Sequence, residues 1–86
     1  MILKLFTQPD CGKCPSAKQV VVKLKTQNSK LKIEEFDVTT VDGMAEASFY
    51  TVMATPTILL CDNTGKILKD WRGQIPALTE LKRATA

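Results

Sequence analysis

The sequence predicts one α/β domain spanning residues 1–86, with the element order βαβαββα. Three observations carry that reading. A short apolar run over residues 2–6 leads into a stretch whose apolar residues recur at helical spacing. A second strand-like alternation follows that stretch, so the first two strands flank a helix. Two beta-rich runs, residues 57–61 and 66–71, then flank a four-residue turn.

Taken in order, Ile2-Leu3-Lys4-Leu5-Phe6 reads as the first strand, and Thr7-Gln8-Pro9-Asp10 as a loop, since Pro9 biases its predecessor away from helix. From about residue 12 to 27, Ala17, Val20, Val21 and Leu24 follow the i, i+3, i+4, i+7 pattern of an amphipathic helix. Pro15 fits its first turn, where donors are spare. Asn28-Ser29-Lys30 ends that helix. Residues 31–38 alternate as a second strand with Leu31, Ile33, Phe36 and Val38 inward. Two strands joined through a helix make a right-handed βαβ unit with parallel strands. Thr39-Thr40 offers an N-cap, and Val41, Met44, Ala45, Ala47 and Ser48 support a short helix ending near Tyr50. Thr57 to Cys61 is a third strand. Asp62-Asn63-Thr64-Gly65 is a hairpin turn with Gly65 available for positive φ, and residues 66–71 are the return strand. Gly73 breaks the chain, and Pro76 opens a last helix with Leu78, Leu81 and Ala84 on its apolar face. Phe6, Phe36 and Phe49 read as core.

Length and composition narrow the function classes. Eighty-six residues make a single domain that can bury roughly 60% of its unfolded surface. A hydrophobic content of 44% argues against disorder. No apolar run approaches the roughly 20 residues that span a bilayer, so no membrane association is expected. The start of the chain lacks the pattern of a signal peptide, which makes a cytoplasmic location the expectation. A net charge of +3, with no arginine cluster and no stacking aromatics, argues against nucleic-acid binding. Histidine is absent, which removes His-based catalysis and His metal ligation.

Cys11-Gly12-Lys13-Cys14 at a strand-to-helix junction carries the chemistry. The nucleophile in disulfide exchange is the thiolate, and a helix N-terminus with free N–H groups stabilises it. Gly12 leaves backbone amides accessible; Lys13 adds a positive charge that Asp10 opposes. Cys11 is expected to have a depressed pKa. Positions i and i+3 of a first helical turn share one face, so the two sulfurs can close a small disulfide ring. Cys11, before the apolar stripe, is read as the attacking thiol. Cys14, on the stripe, is read as the shielded thiol that resolves the mixed disulfide. The competing reading is a metal or iron–sulfur carrier using the same thiolates. Structural zinc needs four ligands, and only Cys61 and carboxylates remain to complete a set.

CxxC after the first strand, Thr55-Pro56-Thr57 ahead of the third, and the order βαβαββα together resemble the thioredoxin superfamily over nearly the whole chain, most of all its compact glutaredoxin-sized members from bacteria and archaea. The resemblance implies a four-stranded mixed sheet flanked by three helices and a thiol–disulfide oxidoreductase that reduces protein disulfides. It implies a cis proline at Pro56 beside the disulfide, and main-chain pairing of Thr55 with an extended substrate segment. Gly12 and Lys13 would border that substrate. Gly73 matches a family glycine lining the substrate groove, and a helix-entry turn is an equal reading. No bound cofactor is implied beyond a redox-active Cys11–Cys14 disulfide, and a monomer is expected, recharged by a reductase or by glutathione.

The sequence also departs from the family. Asp10 stands where thioredoxins usually carry tryptophan, and Lys13 where they carry proline. Leu5 stands at the place of the buried aspartate that helps deprotonate the resolving thiol, so that base is missing. Trp71-Arg72-Gly73-Gln74 replaces the Gly-Gly-x-Asp segment with which glutaredoxins hold glutathione, so no glutathione site is carried over. Lys4 and Arg72 could contact glutathione carboxylates and are read instead as solvated surface charges. Cys61 is read as a buried small hydrophobe and Trp71 as a packed strand residue. Met53 either lines the groove or packs in the core.

Overall fold

The computed structural model describes all of residues 1–86. Its elements are β1 (Ile2–Thr7), α1 (Cys14–Gln27), β2 (Lys32–Asp37), α2 (Val41–Phe49), β3 (Thr57–Cys61), β4 (Ile67–Arg72) and α3 (Leu78–Ala84). The strands form one sheet in the order β2-β1-β3-β4. β1 runs parallel to β2 and antiparallel to β3, which pairs antiparallel with β4. This is the four-stranded mixed sheet with three helices that the resemblance implied.

Alternation along the central strands divides the core in two. Leu3 and Leu5 of β1 and Ile58 and Leu60 of β3 face α1 and α3, joining Ala17, Val21, Leu24, Trp71 and Leu81. Phe6, Leu59 and Cys61 face the other way, toward Ala47 of α2, with Phe36, Val38 and Tyr50 packed around them. β3 is buried at all five positions because helices cover both faces of the central sheet, which explains its unbroken apolar run.

Local chemistry sets the boundaries. Thr40 caps α2, its hydroxyl accepting from the Gly43 amide at 3.0 Å. Gly65 takes φ +90° in the β3–β4 turn, where the Asp62 carboxylate accepts from the Thr64 and Lys66 amides. α1 begins at Cys14 rather than near residue 12, with Lys13 as its N-cap and Pro15 in the first turn. Leu31 is buried but precedes β2. Pro76 is buried ahead of α3, and an extended Ala77 caps that helix.

Phe49 and Lys4 lie elsewhere than expected, and Met53 takes one of its two expected places. Phe49 is 75% exposed rather than core. Gly43 and Ala47 are the buried positions of α2, and two residues past Ala47 the helix has turned about 200°, so Phe49 points outward. Met53 is 89% exposed, which leaves only its groove-lining reading. Lys4 is 8% exposed rather than solvated. It faces α2, and its ammonium meets Glu34 at 3.1 Å and Glu46 at 2.6 Å. No helix is long and apolar enough to cross a membrane.

Candidate active site

Cys11 and Cys14 are joined by a disulfide, with Cα atoms 5.4 Å apart. They sit just past the C-terminal end of β1, in a turn closed by hydrogen bonds that the Cys11 amide donates to the Gln8 carbonyl and the Cys14 amide to the Cys11 carbonyl, both 3.3 Å. Cys11 lies in that turn and is half-buried. Cys14, the first residue of α1, is 5% exposed. The two sulfurs thus differ in access. Gly12 and Lys13 are exposed between them. A Cβ on Gly12 would meet nothing within 4 Å, so neither crowding nor a positive φ demands glycine there.

The loop before β3 ends at the same end of the sheet, since Phe6 of β1 pairs with Thr57. The Thr55–Pro56 peptide is cis and Pro56 is buried. Thr57 fastens the loop through its hydroxyl, which donates to the Ala54 carbonyl at 2.6 Å. The Gly73 amide donates to the Pro56 carbonyl at 2.8 Å. Gly73 has φ +69°, and a Cβ there would come within 3.4 Å of the Ala54 side chain. Gly73 therefore abuts the Pro56 loop as well as ending β4. Arg72 donates to the Tyr50 and Thr51 carbonyls and to Asp70, so it ties β4 to the end of α2 instead of standing free in solvent. Trp71 is packed, its indole N–H donating to Glu80 at 2.9 Å.

One recess touches the disulfide and a second lies at the loop before β3, and Gln8 lines both. A cleft of about 330 Å³ touches Cys11 and Cys14 and is walled by Thr7, Lys18 and Asp37. A smaller recess of about 120 Å³ is lined by Val38, Val52, Met53, Ala54 and Thr55. Charged and polar residues make up half of the first lining, and apolar residues most of the second. At the first cleft, hydrogen bonds from the Thr39 hydroxyl and amide hold the Asp37 carboxyl below its usual range. Lys18 pairs with Glu35 at 3.2 Å. Leu5, at the place where the resemblance expects an acid, is 1% exposed and packed among apolar side chains. No three Cys, Asp or Glu side chains converge as a metal ligand set.

A family model described as a thioredoxin-like domain matches residues 2–84. The chain belongs to the thioredoxin-like family. A probable thioredoxin of Archaeoglobus fulgidus is 34% identical over 62 residues, covering 72% of this chain and 67% of the relative. Solved structures agree on the fold. Thioredoxin 1 from Thermosipho africanus superposes with a TM-score of 0.79 at 18% identity, covering 99% of this chain and 90% of its own. A mutant thioredoxin from Halobacterium salinarum gives 0.82 at 26% identity, covering 96% and 69%. A thioredoxin-like chain with a disulfide-forming Cys11–Cys14 pair is a thiol–disulfide oxidoreductase.

Sequence reasoning missed Gln8, Lys18 and Asp37. Signals for all three were present. Parallel β1 and β2 end side by side, which brings residues after each strand to one edge. Lys18 is one helical turn beyond Cys14.

Proposed function

We propose that this chain reduces disulfides of protein substrates in the cytoplasm, acting as a monomeric electron carrier. The Cys11 thiolate attacks one sulfur of the substrate disulfide, and the other substrate sulfur leaves as a thiolate. Cys14 then attacks the Cys11 sulfur, the bond to the substrate breaks, and the Cys11–Cys14 disulfide forms. Two electrons pass to the substrate, and a reductase or glutathione returns them. The difference in access between the half-buried Cys11 and the 5%-exposed Cys14 carries this order of events. An incoming disulfide reaches Cys11, whereas Cys14 presents little surface to a bulky protein substrate. An extended substrate segment runs along Thr55 and Pro56, with the exposed Met53 beside it and Gly12, Lys13 and Gly73 bordering the groove.

The test is a trap. Cys14→Ser should accumulate mixed disulfides through Cys11, visible as mass adducts on incubation with a disulfide-containing protein, while Cys11→Ser should accumulate none. Both variants should lose nearly all insulin-disulfide reduction. Full turnover in either one would defeat the assignment.

A further inference from the structure

In resolution, a thiol that is 5% exposed must become a thiolate. Burial disfavours that charge, and the α1 N-terminus offsets it only in part. β1 offers no acid to take the proton, because its residue at that depth is Leu5. The compensating charge lies across the sheet. Parallel pairing sets Leu5 beside Glu35 and Thr7 beside Asp37, so both carboxylates share the face that α1 covers. Lys18 follows Cys14 by one helical turn, on the same side of α1. It lines the cleft that both cysteines touch, and its ammonium lies 3.2 Å from Glu35.

Resting on the disulfide-reductase reading, we propose that the Lys18 ammonium stabilises the Cys14 thiolate during resolution, with Glu35 setting how much of that charge Cys14 feels. Lys18 from α1 and Asp37 from β2 are the charged groups that line the cleft, with Glu35 of β2 paired to Lys18; Asp10 and Lys13 carry the charges of the turn that holds the cysteines, outside the cleft lining. Thr7, Gln8, Pro9 and Pro15 complete the wall without charge, and α2 and α3 contribute nothing to it. Asp37, whose carboxylate accepts two bonds from Thr39, stays ionised near neutral pH and opposes a second anion nearby. Lys18 is the one cation that lines the cleft with it. The lysine side chain is 57% exposed and Glu35 38% exposed. A pair this open is weakly held, which lets the ammonium swing toward Cys14 as charge develops there. The Cys14 proton passes to water in the open cleft. The thiolate attacks the Cys11 sulfur, the Cys11–substrate bond breaks, and the departing substrate thiolate takes a proton from water. Lys18 gains and loses no proton; it is a positioning residue.

The experiment titrates Cys14 in a Cys11→Ser background, reading alkylation by iodoacetamide against pH on the isolated peptide so that Cys61 is not counted. Lys18→Met should raise the Cys14 pKa by about half a unit to one unit, slowing alkylation at pH 7 roughly three- to tenfold. Lys18→Arg should restore it. Glu35→Gln should move the pKa the opposite way, which a purely structural role would not do. An unmoved titration in Lys18→Met, or shifts of the same sign in Lys18→Met and Glu35→Gln, overturns the proposal. Insulin reduction by the unmutated chain is measured in parallel. Its failure removes the reductase reading, while the Cys14 titration needs no substrate and stands or falls separately.

Discussion

Leu5 and Lys4 are neighbours in β1 that point to opposite faces of the sheet, and their surroundings differ in kind. Leu5 lies in an apolar core shared with α1 and α3. Lys4 lies beneath α2 with Glu34 and Glu46 on its ammonium, 5.5 Å from the Phe36 ring centroid and 5.1 Å from that of Tyr50. The face that carries the cysteines thus keeps charge out of its core and holds it at the rim, at Lys18, Glu35 and Asp37 near the cleft and at Glu80, which accepts from the Trp71 indole. The opposite face takes charge inside and neutralises it there. Thioredoxins usually put a buried acid on the cysteine side, and this chain has an apolar residue at that place. Placing ionic groups under α2 leaves the core on the Cys14 side of the sheet apolar.

The largest effect should come from cutting into the apolar cores. Leu5→Ala removes a side chain that is 1% exposed, and such cavities typically cost about 2–5 kcal/mol. Phe6→Ala, on the α2 face, should cost about 3–5 kcal/mol, since Phe6 is fully buried and stacks on Phe36 at 5.4 Å. Urea unfolding of both variants measures the two faces against each other. A loss under about 1 kcal/mol for either would mean that its face is not the packed core described above.

Much of this fold is legible in the sequence, because strand and helix periods are local. The element order follows from the runs in β1, α1, β3 and β4, and the disulfide follows from the CxxC spacing. Lys4 and Phe49 were illegible for opposite reasons. A lysine reads as surface unless its partners are visible, and Glu34 and Glu46 come from separate elements. Phe49 reads as core until the helix phase is fixed by Gly43 and Ala47, both too small to announce a buried face. Asp37 and Lys18 line one cleft because β1 and β2 lie parallel, a placement that the predicted βαβ unit already implied.

An intermediate effect is expected for Lys4→Met, which keeps the apolar stem and deletes the charge. Glu34 and Glu46 side chains are each 29% exposed, so water screens part of the loss, and about 1–2 kcal/mol should disappear at pH 7. The pH dependence identifies the cause. Burial opposes the Lys4 charge, but hydrogen bonds to Glu46 and Glu34, and then their charges, raise its pKa above the ordinary 10.5. Its contribution is therefore complete below 10.5 and lost only at strongly alkaline pH. The hydrogen bond from Lys4 lowers Glu34 from its ordinary 4.5, with burial acting the other way. That contribution is present above 4.5 and lost as pH falls through the lower folded value. Urea midpoints between pH 7 and pH 3 should fall less steeply in Lys4→Met than in the unmutated chain. Parallel profiles would mean that the triad contributes nothing through its charges.

The smallest effect should belong to Phe49→Ala. The ring is 75% exposed and meets Tyr50 edge-on, with ring centroids 4.8 Å apart. Removing it loses that edge contact and little else, because Ala47 and Tyr50 hold α2 to the sheet. Alanine is also the better helix former, by a few tenths of a kcal/mol. The two terms nearly cancel, and the change in unfolding free energy should stay within about 0.5 kcal/mol. Phe6→Ala is the natural control, being the same substitution on the same side of the sheet. If both variants lost several kcal/mol, Phe49 would be part of the α2-side core after all. The division between a small apolar core there and an exposed outer surface of α2 would then have to be redrawn.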